Sequence, residues 1–249
     1  MFSILSLVVA STLGVAEDYS ITVNSLGIGN TWTSGVVTPL QVTISSNVNE
    51  ATAAWVQWEV PDADGDTVLW GKPITLSPGG KTSVWLYAPI QPWSNPSMSW
   101  TIRLREWVED EPFGELATTR FSANSIGAVQ YKTTEGFIAV FGTRRLGLSN
   151  FQPHQPIEVK QEASIIVSGL QSNDLPDAWP CLETLDAIVW ADVTPQFSYR
   201  QESALLSWIE RGGHLIISLP TIGDPWNLGS ENGPLSEILI DIQSSIEQI

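Results

Sequence analysis

Ala53-Ala-Trp-Val-Gln-Trp-Glu-Val60 is the stretch on which the first half of the fold turns. Its β-branched and aromatic residues suit a strand. In a strand, successive side chains point to opposite faces. Trp55 and Trp58 are three positions apart, so a regular strand holds at most one of them toward a core. The other faces outward.

The same two-residue period runs outward on both sides. Tyr19-Ser-Ile-Thr-Val23 alternates, and Leu40-Gln-Val-Thr-Ile-Ser45 sets Leu40, Val42 and Ile44 on one face. Thr67-Val-Leu-Trp70, Thr82-Ser-Val-Trp-Leu-Tyr87 and Ser99-Trp-Thr-Ile-Arg-Leu-Arg-Glu-Trp-Val108 continue the pattern. Turn residues separate the runs: Asp62-Ala-Asp-Gly-Asp66, Pro78-Gly-Gly80 and the longer loop Gln91-Pro-Trp-Ser-Asn-Pro96. About seven short strands in roughly 110 residues are expected, an antiparallel sandwich of immunoglobulin-like size spanning residues 17–130.

After Tyr131 the pattern changes. Gly136-Phe-Ile-Ala-Val-Phe-Gly142, Ala163-Ser-Ile-Ile-Val-Ser168 and Leu185-Asp-Ala-Ile-Val-Trp-Ala191 are short continuous apolar runs, as in buried parallel strands. Arg200 to Arg211 has helical spacing, with Ala204, Leu205, Trp208 and Ile209 on one face and Gly212-Gly213 as its stop. His214-Leu-Ile-Ile-Ser-Leu219 is the next strand, completing a βαβ unit. A last helix is expected over residues 234–249. The expected class is α+β, in two domains: the sandwich, then an α/β parallel sheet over residues 131–249.

Two stretches carry a resemblance. Ser25-Leu-Gly-Ile-Gly-Asn-Thr-Trp, continuing to Ile44, resembles the opening of an Ig-like domain in exported bacterial proteins. Leu185 to Asp192 with Arg200 to Ile217 resembles the class I glutamine amidotransferase-like fold, in the membrane-associated variants that follow such β-domains. The resemblance implies a sheet of flavodoxin or amidotransferase type. The active family sets a nucleophilic Cys on a strand-to-helix turn, where a helix N-terminus lowers the thiol pKa. The corresponding turn here, Leu219-Pro-Thr-Ile-Gly223, has no Cys. Cys181 precedes the Leu185 strand, and His154 and His214 sit in a loop and at a strand start. No catalytic residue carries over, so the resemblance implies a non-catalytic variant. It also implies flanking elements that the 29 residues after Pro220 do not hold, so the layer is expected to be incomplete, either as a fragment of a longer chain or as a minimal variant.

Other residues carry candidate chemistry. Asp62, Asp64 and Asp66 alternate as in a calcium loop, but Thr67 stands at the glycine position and Trp70 and Pro73 at later ligand positions. An acidic hairpin turn explains the run equally. Ligands of open α/β sheets sit beyond the strand carboxyl ends. Arg144, Arg145, Asp192 and Thr221 mark that edge and form a candidate ligand or partner crevice, with a salt bridge as the alternative for the Arg pair. Eight of the twelve tryptophans lie between Trp32 and Trp107. Aromatic faces stack on sugars, but Trp is also a good core filler. Trp93, in the Pro-flanked loop, is the candidate sugar contact. No cofactor is expected.

Residues 2–16, Phe-Ser-Ile-Leu-Ser-Leu-Val-Val-Ala-Ser-Thr-Leu-Gly-Val-Ala, contain no charged side chain. This length fits a signal-peptide core better than a membrane span, and Gly14 and Ala16 supply the small residues for cleavage before Glu17. Residues 1–16 are therefore expected to be a signal peptide, and the protein to be exported, periplasmic or envelope-associated. The formal net charge of −16 argues against nucleic acid or an anionic membrane as partner. Membrane contact is expected only through an uncleaved N-terminus or an anchor beyond this sequence. The single Cys excludes an internal disulfide framework. The expected function is interaction or scaffolding with another envelope protein. A carbohydrate-binding module and an enzyme with unrecognised site residues are the alternatives.

Overall fold

A computed structural model describes residues 18–144, 146, 148, 164–191, 196–218 and 233–235. In chain order the strands are β1 (Tyr19–Leu26), β2 (Thr31–Trp32), β3 (Val37–Ser46), β4 (Thr52–Pro61), β5 (Thr67–Leu76), β6 (Lys81–Pro89), β7 (Ser99–Val108), β8 (Glu111–Ser122) and β9 (Val129–Gln130). They continue as β10 (Gly136–Phe141), β11 (Ser164–Leu170), β12 (Ala187–Trp190) and, after helix α1 (Tyr199–Glu210), β13 (His214–Ile217).

Two antiparallel sheets enclose the first core. The first has the order β1–β3–β6 and the second β5–β4–β7–β8. Alternation sets their inner faces: Leu40, Val42, Ile44, Val84 and Leu86 from one sheet meet Val56, Trp58, Trp100, Ile102 and Leu104 from the other. At the centre, Trp100 meets Trp32 edge-on (5.8 Å, 88°) and Trp58 edge-on (6.2 Å, 82°). These pairs direct the positive ring edge at a neighbour's π-face. No conventional hydrogen-bond partner meets the Nε1 of any of the three among the described residues. Gly27, at φ 77°, begins the turn between β1 and β2; a Cβ there would lie 1.9 Å from the Thr31 carbonyl oxygen, so only glycine fits.

The later strands form one parallel sheet in the order β11–β10–β12–β13. Phe141 and Trp190 stack at 4.9 Å in its core, beside Leu205 and Trp208 of α1. This sheet and its loops pack on the outward face of the first antiparallel sheet. Gln41 Nε2 donates to the Asn173 carbonyl at 3.0 Å, and the Tyr87 hydroxyl donates to Asp177. The Asp177 backbone N–H donates back to the Tyr87 oxygen at 3.0 Å. Trp85, on the same outward face, is only 9% exposed.

The expected α+β class, an Ig-like sandwich followed by a flavodoxin- or amidotransferase-type α/β layer, is corrected by this architecture. Strand makes up 52% of the described residues and helix of every kind 12%, with one α-helix among them. A doubly wound layer needs helical crossovers on both faces of its sheet. Here β11 passes to β12 through two three-residue 3-10 turns, Ser172–Asp174 and Trp179–Cys181. Only the β12-to-β13 connection contains an α-helix among the described residues. One βαβ unit in the sequence was a true local signal, but it does not make a flavodoxin-like domain.

A candidate ligand-binding face on the second sheet

The two antiparallel sheets differ in what covers their outward faces. Segment 173–181 covers the first around Gln41, Trp85 and Tyr87, while Thr22 and Ser83 on that face are exposed. The outward face of the second carries Trp55 and Gln57 from β4, Leu69 and Gly71 from β5, Arg103, Arg105 and Trp107 from β7, and Arg120 from β8, as strand register dictates. Trp58 of β4 points into the core and Trp55 outward, each partly or wholly shielded by different neighbours. Trp55 stacks on Trp107 with ring centroids 4.8 Å apart and planes 16° from parallel. Gly71 opposite Gln57 gives Trp55 its room: a Cβ there would lie 2.7 Å from the indole Nε1. Leu69, on the same edge strand, is 53% exposed.

Polar groups flank the indoles. Arg103 bridges Glu59 and Glu115, both at 2.5 Å, and these hydrogen bonds raise its pKa, holding the guanidinium charged. Arg105 Nε donates to the Gly114 carbonyl at 3.2 Å. Gln57 is 2% exposed although it lies on the outward face. Its Nε2 reaches Glu59 at 3.5 Å, and its Oε1 has no hydrogen-bond partner among the described residues. An unpaired buried amide oxygen costs roughly 1–3 kcal/mol. The face therefore combines two indoles stacked on each other, fixed charged donors and acceptors, and one buried acceptor without a partner among the described residues.

The residues singled out from sequence fall elsewhere. Trp93 is 50% exposed in the loop before β7, at the end of the sandwich opposite Trp107, so it does not join the stacked pair. Asp62 Oδ1 accepts from the backbone N–H groups of Asp64 (3.0 Å) and Asp66 (2.9 Å), so this carboxylate closes its own hairpin turn. No cluster of three or more His, Cys, Asp or Glu suited to a metal occurs among the described residues. Arg144 is exposed just beyond β10, while Arg145, Asp192 and Thr221 lie outside the described residues, as do the expected signal peptide, His154 and nearly all of the expected last helix. Cys181 is 1% exposed, and burial pushes its thiol pKa up. Among the described residues no helix is long and apolar enough to cross a membrane.

Residues 18–122 match a family model described as a domain of unknown function, DUF8726. No curated relative matches the chain. Among solved structures, the Pseudomonas fluorescens alkylpurine DNA glycosylase AlkC is similar at 13% identity and a TM-score of 0.27, over 44% of this chain and 31% of that one. A β-glucosidase from Listeria innocua is similar at 12% identity and 0.28, over 46% of this chain and 19% of that one. CsgH from R. palustris is similar at 12% identity and 0.28, over 45% of this chain and 98% of that one. The chain thus spans less than a third of the two enzymes, and likeness at these scores carries no argument about fold or function.

Parity in Ala53–Val60 already required one outward Trp. Its partner Trp107 was not legible, because stacking across neighbouring strands depends on register, and register is a tertiary property.

Proposed function

We propose that this chain is a non-catalytic interaction protein of the cell envelope that holds its partner on the outward face of the second antiparallel sheet. The observation that carries the reading is the contrast between the two outward faces. One is covered in part by the protein's own segment 173–181, and the other bears the half-buried Trp55–Trp107 stack and the exposed Leu69. Aromatic and Arg side chains are enriched in binding hot spots, and this face has both. The apolar run at residues 2–16 supports export. The buried Cys181, whose thiol is held neutral, supports a non-catalytic role.

The test is site-specific photo-cross-linking in the native host. A photoreactive residue at Leu69, on the open face, is compared with one at Glu50, in the loop between β3 and β4. A discrete adduct from position 69 alone, with the protein in the envelope fraction, is expected. Adducts from both positions, or from neither, would overturn the assignment of the face. A cytoplasmic protein with an intact N-terminus would overturn its export.

A further inference from the structure

We propose that the seam between β1 and β8 is a strand-acceptor site, which takes an extended segment of a partner protein carrying a Lys or Arg beside Asp18 and Glu115. The inference goes beyond the sheet face described above and rests on different residues. β1 is an edge of the three-stranded sheet and β8 an edge of the four-stranded one. Between them runs a groove of about 600 Å³. Tyr19 and Ile21 of β1 line it with Leu116 and Ala117 of β8, all half-buried against the first core. Among the described residues β1 pairs only with β3 and β8 only with β7, so each strand keeps one main-chain edge without a partner. A row of unpaired N–H and C=O groups is matched by another extended chain, which bonds to every second residue along it.

The opposite seam is protected. β5, the other edge of the four-stranded sheet, carries Lys72 and Pro73 and contacts β6, the other edge of the first sheet. Charge and Pro on an edge strand discourage a further strand. Tyr19-Ser-Ile-Thr-Val23 has neither, and the bulge of β1 comes only after Val23. On β8, Pro112 precedes the residues of the groove. A strand added to β1 makes that sheet four-stranded and sets alternate side chains over Leu116 and Ala117, where apolar residues fit. Charge decides what stands at its end. Asp18 and Glu115 line the groove and no basic residue does. Glu115 shares Arg103 with Glu59, so this trio keeps one net negative charge, and Asp18 has no ion pair among the described residues. A cation is attracted there and a carboxylate repelled. The same rule disfavours a second copy of the chain, whose formal net charge is −16.

The experiment is fluorescence anisotropy of the full chain with labelled synthetic peptides. The probes are Lys-Thr-Val-Thr-Val-Thr-Lys, the same peptide with Glu at both ends, and the Lys-ended peptide with Pro in place of its central Thr. Lysines at both ends make the result independent of strand direction. The Lys-ended peptide is expected to bind, and each of the other two more weakly by about ten-fold or more. Asp18→Lys, at an exposed position, should weaken the Lys-ended peptide by about three-fold or more and strengthen the Glu-ended one. Asp64→Lys makes the same charge change in the turn at the far end of β4 and should do neither. Thermal melting checks that each variant is folded. A carbon-13 carbonyl label in the bound peptide should give the infrared band of a paired strand. The inference is overturned if no peptide binds, if the Glu-ended or Pro-containing peptide binds as well, or if Asp64→Lys acts as strongly as Asp18→Lys. A stable dimer of the chain that excludes the peptide would give β1 to a second copy and overturn it as well.

Discussion

Glu109 and Asp110 sit at φ 50° and 63°, at the two central positions of the tight turn joining β7 to β8. A two-residue hairpin whose central residues both have positive φ favours Asn-Gly, because other side chains clash with the backbone there. Glu109→Asn with Asp110→Gly should therefore raise unfolding free energy by about 1 kcal/mol. Urea denaturation followed by far-UV circular dichroism measures it, and a fall in midpoint would contradict the assigned strain. The neighbouring Trp107 shows how far residue-scale reading reaches. Sequence parity separates Trp55 from Trp58, but only the register Ala54↔Glu106 and Trp55↔Arg105 brings Trp107 onto Trp55. Trp93 looked exposed from its Pro-flanked loop and is exposed, yet it stands away from the aromatic pair.

At the scale of elements, α1 was legible because its signals are local. Ser198 caps it: its Oγ accepts from the Gln201 N–H at 3.3 Å, and Gln201 Oε1 accepts from the Ser198 N–H at 2.9 Å. Gln201 Nε2 also donates to the carbonyls of Ser172 (2.8 Å) and Leu175 (2.7 Å), tying the helix start to the preceding loop. Ser198→Ala should cost about 1 kcal/mol by losing one cap. Thermal denaturation should register that loss, and Ser198→Asp, which retains an acceptor, should recover most of it. The Gly212-Gly213 stop has a packing reason as well as a conformational one. Gly212 takes φ 99°, and a Cβ on Gly213 would lie 2.2 Å from the Trp208 ring. The two 3-10 turns between β11 and β12 were not legible. They are three residues each, too short for a helical period to show.

The whole molecule joins its two sheet systems through Tyr87 and Asp177. Burial and the Asp177 hydrogen bond raise the Tyr87 pKa above 10.0, and burial raises Tyr131 and Cys181 above their ordinary 10.0 and 9.0. Each of these groups binds its proton more tightly folded than unfolded. Their stabilising contributions are full below about pH 9 and decline as pH rises through the unfolded values. Lys72 has the opposite sign, since burial lowers its pKa and its penalty is relieved at high pH. Three raised groups against one lowered group predict falling stability above pH 9 in equilibrium unfolding between pH 7 and pH 11. Tyr87→Phe should flatten that decline while lowering stability at pH 7, because its hydrogen bonds with Asp177 are lost. An unchanged alkaline slope in Tyr87→Phe would remove Tyr87 from the account.

Sequence by itself determined the six quoted strand runs of the first half but not β8 (Glu111–Ser122), together with the helix Arg200–Arg211 with its Gly-Gly stop and the sparse, evenly spread charge, because period, capping and composition act over short distances. Tertiary structure alone decided the mostly β class, the partial covering of the first sheet's outward face by segment 173–181, and the meeting of Trp55 and Trp107. Those features depend on which strands pair and in what register, and pairing joins residues about fifty positions apart that no local pattern connects.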